Sequence, residues 1–234
     1  MTAPFPARTT LHIEQIDGPS LEIPRRETER YLGYRRITPT PEVSARIDVC
    51  EQQLRAKSTP KAAWQAFPLD RSETGHLRAA GLDIPSEKLS RNCRGCCAIV
   101  MMAATIGPGV DFLIRRAGTT SMTDAAIYQA AGAAMVEEWC DRLNLKIKNY
   151  MKGTYGLAAR PRFSPGYGDL PLELQRDFFR ILNLPHTCGM SLGDTLLMSP
   201  SKSVTAFIGL AEAEDSCIPA GCEVCGKDNC DFRR

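Results

Sequence analysis

The stretch TCGMSLGDTLLMSPSKSVTAFIGL, residues 187–210, contains two strand patterns separated by a turn. Residues 196–199 and 203–210 flank the tripeptide PSK, which favours a turn. Aliphatic side chains occupy every second position from Val204 to Leu210, so this strand would have one aliphatic face and one mixed face. The stretch therefore predicts a β-hairpin.

Further strands and helices are indicated upstream of this hairpin. Apolar residues predict strands at 11–16, 21–23 and 97–105, whereas residues 61–83 have a mixed, turn-rich pattern. Capping residues and apolar spacings of three or four predict the helices. They begin near Arg26, Pro41, Ser86 and Val110, and one long helix runs from Ser121 or Thr123 to Gly153. Such a mixture permits an α+β fold.

Composition and charge exclude several classes of function. The 234 residues are 43% hydrophobic and 24% charged, which is an ordinary globular balance. The 29 Lys and Arg residues nearly balance the 27 Asp and Glu residues and form no basic stripe, so nucleic acid is not an expected partner. The first residues lack an apolar signal segment, and the longest apolar run, residues 96–106, is too short to cross a membrane. We therefore expect a cytoplasmic protein without a membrane partner.

The loop sequence RFSPGYGDLPLELQ, which begins at Arg162, is a candidate small-ligand site. Arg162 provides a planar set of donors that fits a carboxylate or phosphate. Gly166 and Gly168 lack the Cβ that would hold a ligand away from main-chain amides, and Tyr167 adds a ring and a hydroxyl. Asp169 is expected to cap the helix that follows. The alternative is an ordinary turn between a strand and a helix.

Small side chains form a stripe on the predicted long helix. Ala126, Ala130 and Ala133 recur at helical intervals and lead to Glu137. We expect a closely packed neighbour along this stripe, and Glu137 would then hydrogen-bond a ligand ammonium or an arginine. The alternative is that Glu137 is a solvated side chain at the rim of the helix.

Four of the ten cysteines lie close together near the C-terminus. Cys217, Cys222, Cys225 and Cys230 have the spacing C-x4-C-x2-C-x4-C. Four thiolates so close in sequence can form a tetrahedral set, so they predict a zinc or iron–sulfur site. Free or redox-active thiols are the alternative.

A second group, Cys93, Cys96 and Cys97, lies at the start of a predicted strand. Because side chains alternate along a strand, these sulfur atoms are expected to point to different sides and to be structural. The three histidines are scattered, and none has a sequence context typical of a nucleophilic triad. No catalytic residue is assigned.

The chain resembles the S-adenosylmethionine-binding activation domain of cobalamin-dependent methionine synthase, in particular its stand-alone form. The resemblance rests on the two stretches quoted above and on RRETERYLGYR, AATIG and AAMVEEWCDRL at residues 25–35, 103–107 and 133–143. The arginine, glycine and tyrosine of RFSPGY keep the spacing of the family loop.

The resemblance implies a single α+β domain with a twisted, mainly antiparallel sheet and flanking helices. This domain would occupy residues 1–211, with a Cys-rich tail at residues 212–234. The resemblance assigns Arg162 to the carboxylate of S-adenosylmethionine and implies further ligand contacts nearby. The implied set of binding residues is Glu137, Arg162, Phe163, Ser164, Gly166 and Tyr167.

The implied function is reductive methylation, and hence reactivation, of cobalamin held by a separate methionine synthase subunit. The chain lacks the D-x-H-x-x-G sequence that would bind cobalamin itself. The implied partner is therefore a cobalamin-binding methionine synthase or another corrinoid protein, with a flavodoxin- or ferredoxin-type reductant. The alternative is a metal or iron–sulfur accessory protein that transfers electrons to a corrinoid protein outside methionine synthesis.

Overall fold

A computed structural model describes residues 5–34, 37–72 and 76–212. The strands within these residues are β1 (His12–Gln15), β2 (Lys61–Pro68), β3 (Asp70–Arg71), β4 (Leu77–Ala79), β5 (Leu82–Ile84), β6 (Cys96–Thr105), β7 (Leu157–Ala159), β8 (Ser191–Leu192), β9 (Met198–Ser199) and β10 (Ser203–Glu212). The α-helices are α1 (Arg25–Tyr31), α2 (Pro41–Lys57), α3 (Glu87–Asn92), α4 (Gly109–Thr120), α5 (Met122–Tyr155), α6 (Gln175–Ile181) and α7 (Leu184–Thr187).

A five-stranded sheet forms the centre of the fold, with the strand order β1-β2-β6-β10-β7. Every neighbouring pair in this sheet is antiparallel. The two long strands β6 and β10 are buried over almost their whole length because both faces of the sheet are covered. The predicted α+β class with a mainly antiparallel sheet and flanking helices is confirmed.

The two faces of the sheet belong to two hydrophobic cores. Along β10, Ala206, Ile208 and Leu210 pack with α2, α4 and α5, whereas Phe207 packs on the opposite face. The opposite core also contains residues of α6 and of the small sheet β3-β4-β5. The predicted alternation along this strand is confirmed, because successive side chains point to opposite faces.

Capping side chains define where the main helices begin. The hydroxyl of Thr40 accepts a hydrogen bond from the amide of Val43 at the start of α2. Ser121 accepts one from Asp124 at the start of α5. The long helix ends at Gly156 in a left-handed conformation, with φ of 71°, three residues beyond the predicted end. No helix among the described residues has the length and apolarity needed to span a membrane.

Three strand predictions are wrong. Residues 61–68, expected to be turn-rich, form the interior strand β2 between β1 and β6, and residues 21–23 form no strand. The predicted hairpin is also absent: β9 pairs with β8, and β10 pairs with β6 and β7. The turn between β9 and β10 instead runs towards α4, where the Asp111 carboxylate accepts hydrogen bonds from the amide and hydroxyl of Ser201.

Candidate functional site

A β-bulge after β7 directs Arg162 towards α5. Ala159 pairs with Leu210, and Phe163 pairs with Phe207 through hydrogen bonds of 2.9 and 2.8 Å. The segment from Ala159 to Phe163 is therefore one residue longer than the part of β10 that it faces. An extra residue in one strand changes which side of the sheet the next side chain faces. As a result, Phe163 enters one core and Arg162 contacts α5 on the opposite side.

The Arg162 guanidinium is held by two carboxylates of α5. Its Nη2 atom lies 3.1 Å from Glu137 Oε2 and 2.8 Å from Asp141 Oδ1. Its side chain is only 16% exposed, and the buried Nη1 atom has no hydrogen-bond partner among the described residues. Because a buried N–H without a partner is costly, this half of the guanidinium is suited to an anionic ligand.

The structure brings Arg162 and Glu137 together as expected, and it adds Asp141, which the sequence analysis missed. Asp141 follows Glu137 by four residues, so both side chains lie on one face of α5. That spacing is visible in the sequence and was the available signal. The two acidic groups and one guanidinium give this cluster a formal charge of −1.

The glycines of the loop allow the turn that the loop adopts. Gly166 and Gly168 have φ of 83° and 65°, which favour glycine. The Gly166 amide donates to the carbonyl of Leu170, and the Tyr167 amide donates to that of Ser164. The expectation that these glycines free main-chain amides for a ligand is therefore wrong for the amides of Gly166 and Tyr167.

Asp169 anchors the loop to a helix that is distant in sequence. Its carboxylate accepts hydrogen bonds from the Ser86 hydroxyl at 2.6 Å and from the amides of Glu87 and Lys88 at 2.9 and 3.2 Å. The Ser86 bond, followed by the main-chain bonds, lowers the pKa of Asp169. The expectation that Asp169 caps the next helix is wrong, because it caps α3 together with Ser86.

The two aromatic residues of the loop differ in exposure. The Phe163 side chain is buried beside Phe207, and both of its main-chain groups bond to that residue. Tyr167 is 68% exposed and meets the Phe163 ring edge-on, with ring centroids 5.4 Å apart. The buried Phe163 ring therefore supports the exposed Tyr167 ring, and Ser164 is half-buried. Contacts of Phe163, Ser164, Gly166 and Tyr167 with a ligand stay predictions.

The edge of β10 offers further polar groups that the sequence analysis missed. The N–H and C=O of Phe207 both point towards Phe163, away from β6. Main-chain groups of residues two positions apart in a strand point to the same side, so the N–H and C=O of the buried Thr205 also point away from β6. The described main chain provides no partner for them there. A donor and an acceptor are thus present beside the segment that carries Arg162.

The stripe of small residues on α5 is only partly packed. Ala126 is exposed, Ala130 is buried, and Ala133 and Glu137 are half-buried. The close approach occurs instead at Gly132, where an added Cβ would lie 3.2 Å from the Lys202 side chain. The expectation of a closely packed neighbour along the whole stripe is therefore wrong. The half-buried Ala133 and Glu137 leave this side of the helix partly uncovered.

The predicted metal ligands Cys217, Cys222, Cys225 and Cys230 lie outside the described residues, as does most of the proposed tail. Within residues 5–34, 37–72 and 76–212, no three His, Cys, Asp or Glu side chains are grouped so as to hold a metal ion. The metal site and the domain boundary at residue 211 stay predictions.

Comparison with known proteins identifies the fold. No family model matches the sequence, and no curated protein matches it significantly. Among solved structures, the chain is similar to the crystal structure of the MetH reactivation domain bound to AdoHcy, with a TM-score of 0.65. The chain has the fold of that reactivation domain. The similarity covers 89% of this chain and 81% of the MetH domain, at 15% sequence identity.

Proposed function

We propose that this protein binds S-adenosylmethionine at the cluster of Arg162, Glu137 and Asp141. The observation that carries the proposal is the buried Nη1 atom of Arg162, which has no partner among the described residues although the Nη2 atom of the same side chain is held by two carboxylates. The MetH domain of the same fold binds AdoHcy, the demethylated form of S-adenosylmethionine, which supports this choice of ligand.

The charges of the cluster complement those of the ligand. The α-carboxylate of S-adenosylmethionine would accept from Arg162 Nη1, and its α-ammonium would donate to Glu137 or Asp141. The ligand carries one carboxylate, one ammonium and one sulfonium, so its net charge of about +1 opposes the formal −1 of the cluster. The donor and acceptor of Thr205 on the edge of β10 would suit the edge of the adenine base.

The neighbouring loop would border the methyl group and the partner protein. Tyr167 and Leu172 are exposed apolar residues within the loop, and their exposure supports a contact with another protein. We propose that this partner is a cobalamin-binding methionine synthase or another corrinoid protein in the cytoplasm. Transfer of a methyl group from a sulfonium to reduced cobalt requires no proton transfer, so the chain needs to supply only positioning. A flavodoxin- or ferredoxin-type protein would supply the electrons.

Binding and charge preference test the proposal directly. Calorimetry should detect S-adenosylmethionine binding to the wild-type protein, and Glu137→Gln should reduce the preference for S-adenosylmethionine over AdoHcy. Loss of one carboxylate that is one-third exposed is expected to reduce this preference by about 1 kcal/mol, or about fivefold. Glu138→Gln is the matched control, because Glu138 pairs with Arg142 instead of Arg162. Absence of binding to the wild type would refute the proposal.

Methyl transfer requires a separate assay. The protein, S-adenosylmethionine, a reductant and a corrinoid-loaded methionine synthase should together yield methylcobalamin, with the methyl group traced by isotope label. If S-adenosylmethionine binds but only a corrinoid protein outside methionine synthesis is methylated, the partner is corrected and the binding proposal stands.

The proposal includes the tail cysteines Cys217, Cys222, Cys225 and Cys230 as a zinc or iron–sulfur site. Elemental analysis of protein purified without oxygen should give stoichiometric zinc or iron that is lost when these residues are replaced by serine. An iron–sulfur cluster would add visible absorption that dithionite bleaches, which would favour the electron-transfer alternative. Absence of both metals would identify the group as thiols.

A further inference from the structure

Cys93 and Cys96 form a C-x2-C pair where α3 joins β6. The amide of Cys96 donates to the carbonyl of Cys93 at 3.1 Å, and Gly95 between them has φ of 74°. A turn closed in this way keeps its two end Cα atoms within about 7 Å. Disulfides span Cα separations of about 4.4 to 6.8 Å, so a turn of this kind is compatible with a disulfide between its end residues.

The two sulfur atoms converge on Gly209 of β10. A Cβ added to Gly209 would lie 2.8 Å from Cys96 Sγ and 2.9 Å from Cys93 Sγ, so one glycine makes room for both. Both sulfur atoms therefore lie on the same side of β10, next to each other at this glycine. Cys97, in contrast, is exposed, and its sulfur lies 3.7 Å from the Leu210 carbonyl. The expectation that all these sulfur atoms point to different sides is therefore wrong for Cys93 and Cys96.

Two arginines surround this pair of thiols. The Arg160 side chain lies beside the same Gly209 position as the two sulfur atoms, and its guanidinium donates to the carbonyl of Arg94 at 3.1 Å. Arg71 donates to the carbonyl of Cys93 at 3.0 Å. Cys93 is buried, whereas Cys96 is half-buried. The pair therefore lies in a positively charged environment that solvent can reach on the Cys96 side, which is typical of reactive cysteines.

The two thiols are made unequal by these contacts. The hydrogen bond from Cys93, together with Arg160, lowers the pKa of Cys96 to about 7 although burial opposes this change. The same hydrogen bond and burial raise the pKa of Cys93. Cys96 is thus the more acidic thiol of the pair.

We propose that Cys93 and Cys96 form a reversible dithiol–disulfide pair that reacts with low-molecular-weight disulfides. The Cys96 thiolate attacks one sulfur of the small disulfide, forms a mixed disulfide and expels a thiolate. Cys93 then loses its proton to that thiolate and attacks Cys96 Sγ, which releases the second thiolate. The second thiolate takes from solvent the proton that Cys96 released when it ionised, so overall the dithiol loses two electrons and two protons and the small disulfide becomes two thiols. This proposal does not rest on the proposed binding of S-adenosylmethionine.

Oxidation in glutathione buffers tests the pair in the full-length protein. Trypsin cleaves after Arg91, Arg94 and Arg115, so a disulfide would join the tripeptide that contains Cys93 to the following peptide. Mass spectrometry after thiol trapping should detect this linkage as the oxidised fraction of glutathione rises. The linkage should persist in Cys97→Ser, which serves as the matched control, and disappear in Cys96→Ser. Absence of the linkage at every glutathione ratio would overturn the proposal, as would its persistence in Cys96→Ser.

The pH dependence of alkylation gives a second measurement on the unaltered protein. Reaction of Cys96 with iodoacetamide should have its midpoint near pH 7, and Arg160→Gln should move this midpoint upwards. Cys97, whose pKa is raised mainly by burial, provides the internal reference. Identical profiles for Cys96 and Cys97 would overturn the proposal. A stoichiometric metal that is lost in Cys93→Ser would also overturn it, because the pair would then be a ligand set.

Discussion

Replacement of Arg162 gives the sharpest test of the ligand site. Arg162→Ala removes the buried Nη1 group that would donate to the ligand carboxylate. A lost charge-assisted hydrogen bond costs about 1.5 to 3 kcal/mol, or about 10- to 150-fold in Kd. An opposing effect arises because Glu137 and Asp141 would no longer be neutralised by the guanidinium and would attract the positive ligand more strongly. We therefore expect a weakening of about 10- to 30-fold.

The opposing effect differs between two ligands, and this difference makes the test specific. AdoHcy has no sulfonium charge, so it gains less from the exposed carboxylates of the variant. Arg162→Ala should consequently weaken AdoHcy binding more than S-adenosylmethionine binding. Arg162→Lys keeps the charge but offers no planar pair of donors, so its affinity should lie between those of the wild type and Arg162→Ala.

Calorimetry with both ligands at one fixed salt concentration measures these effects, and Glu138→Gln should remain within about twofold of the wild type. Thermal unfolding of each variant shows whether it is folded. A folded Arg162→Ala protein with wild-type affinity for both ligands would refute the role of the guanidinium. Equal losses for the two ligands would refute the charge argument while leaving the carboxylate contact in place.

Three further predictions concern the framework of the site. Asp169→Ala should speed hydrogen exchange at the amides of Glu87 and Lys88, because the Asp169 carboxylate accepts hydrogen bonds from both. An unchanged exchange rate would show that the loop has another anchor. The ion pair with Arg46 lowers the pKa of Asp124. The stabilisation of the fold by this ion pair should therefore be present above about pH 4 and be lost as the pH falls below that value. Asp124→Asn should therefore lower the free energy of unfolding by about 1 kcal/mol at pH 7 and by less at pH 3, as measured by urea denaturation; equal losses at both pH values would contradict this assignment. Gly209→Ala should destabilise the protein by about 1 to 3 kcal/mol because the added Cβ would meet two sulfur atoms. The control Gly118→Ala, at an open position of α4, should instead stabilise the protein by about 0.5 to 1 kcal/mol. Similar effects of the two changes would refute the packing at Gly209.

The sequence predicted elements whose signals are local and missed those defined by distant contacts. The helices α2 and α5 begin at the predicted capping residues because a cap is formed within four residues. The strand β2 was missed because half of its buried residues are alanines, and a buried strand need not alternate. The hairpin prediction failed because the pairing of β10 with β6 is a long-range contact.

In the candidate site, too, local features could be predicted from the sequence, whereas contacts between distant residues could not. The Arg162 and Glu137 residue types could be selected from the sequence, and Asp141 could have been added from its four-residue spacing on α5. The role of Asp169 could not be predicted, because it caps a helix about 80 residues away in the chain. The C-x2-C spacing of Cys93 and Cys96 is visible in the sequence, but the convergence of their sulfur atoms depends on Gly209 of β10.

One irregularity in the sheet links the ligand cluster to the thiol pair. Arg160 and Arg162 are two residues apart, so in a regular strand their side chains would point to the same face. The extra residue between the Ala159 and Phe163 pairings places Arg160 beside the two thiols at Gly209 on one face and lets Arg162 contact Glu137 on the other. Pro161 suits this position because an extra residue in a bulge need not donate to the ladder. A single bulge therefore supplies one guanidinium to each site, and any movement of this segment along β10 would alter both sites together.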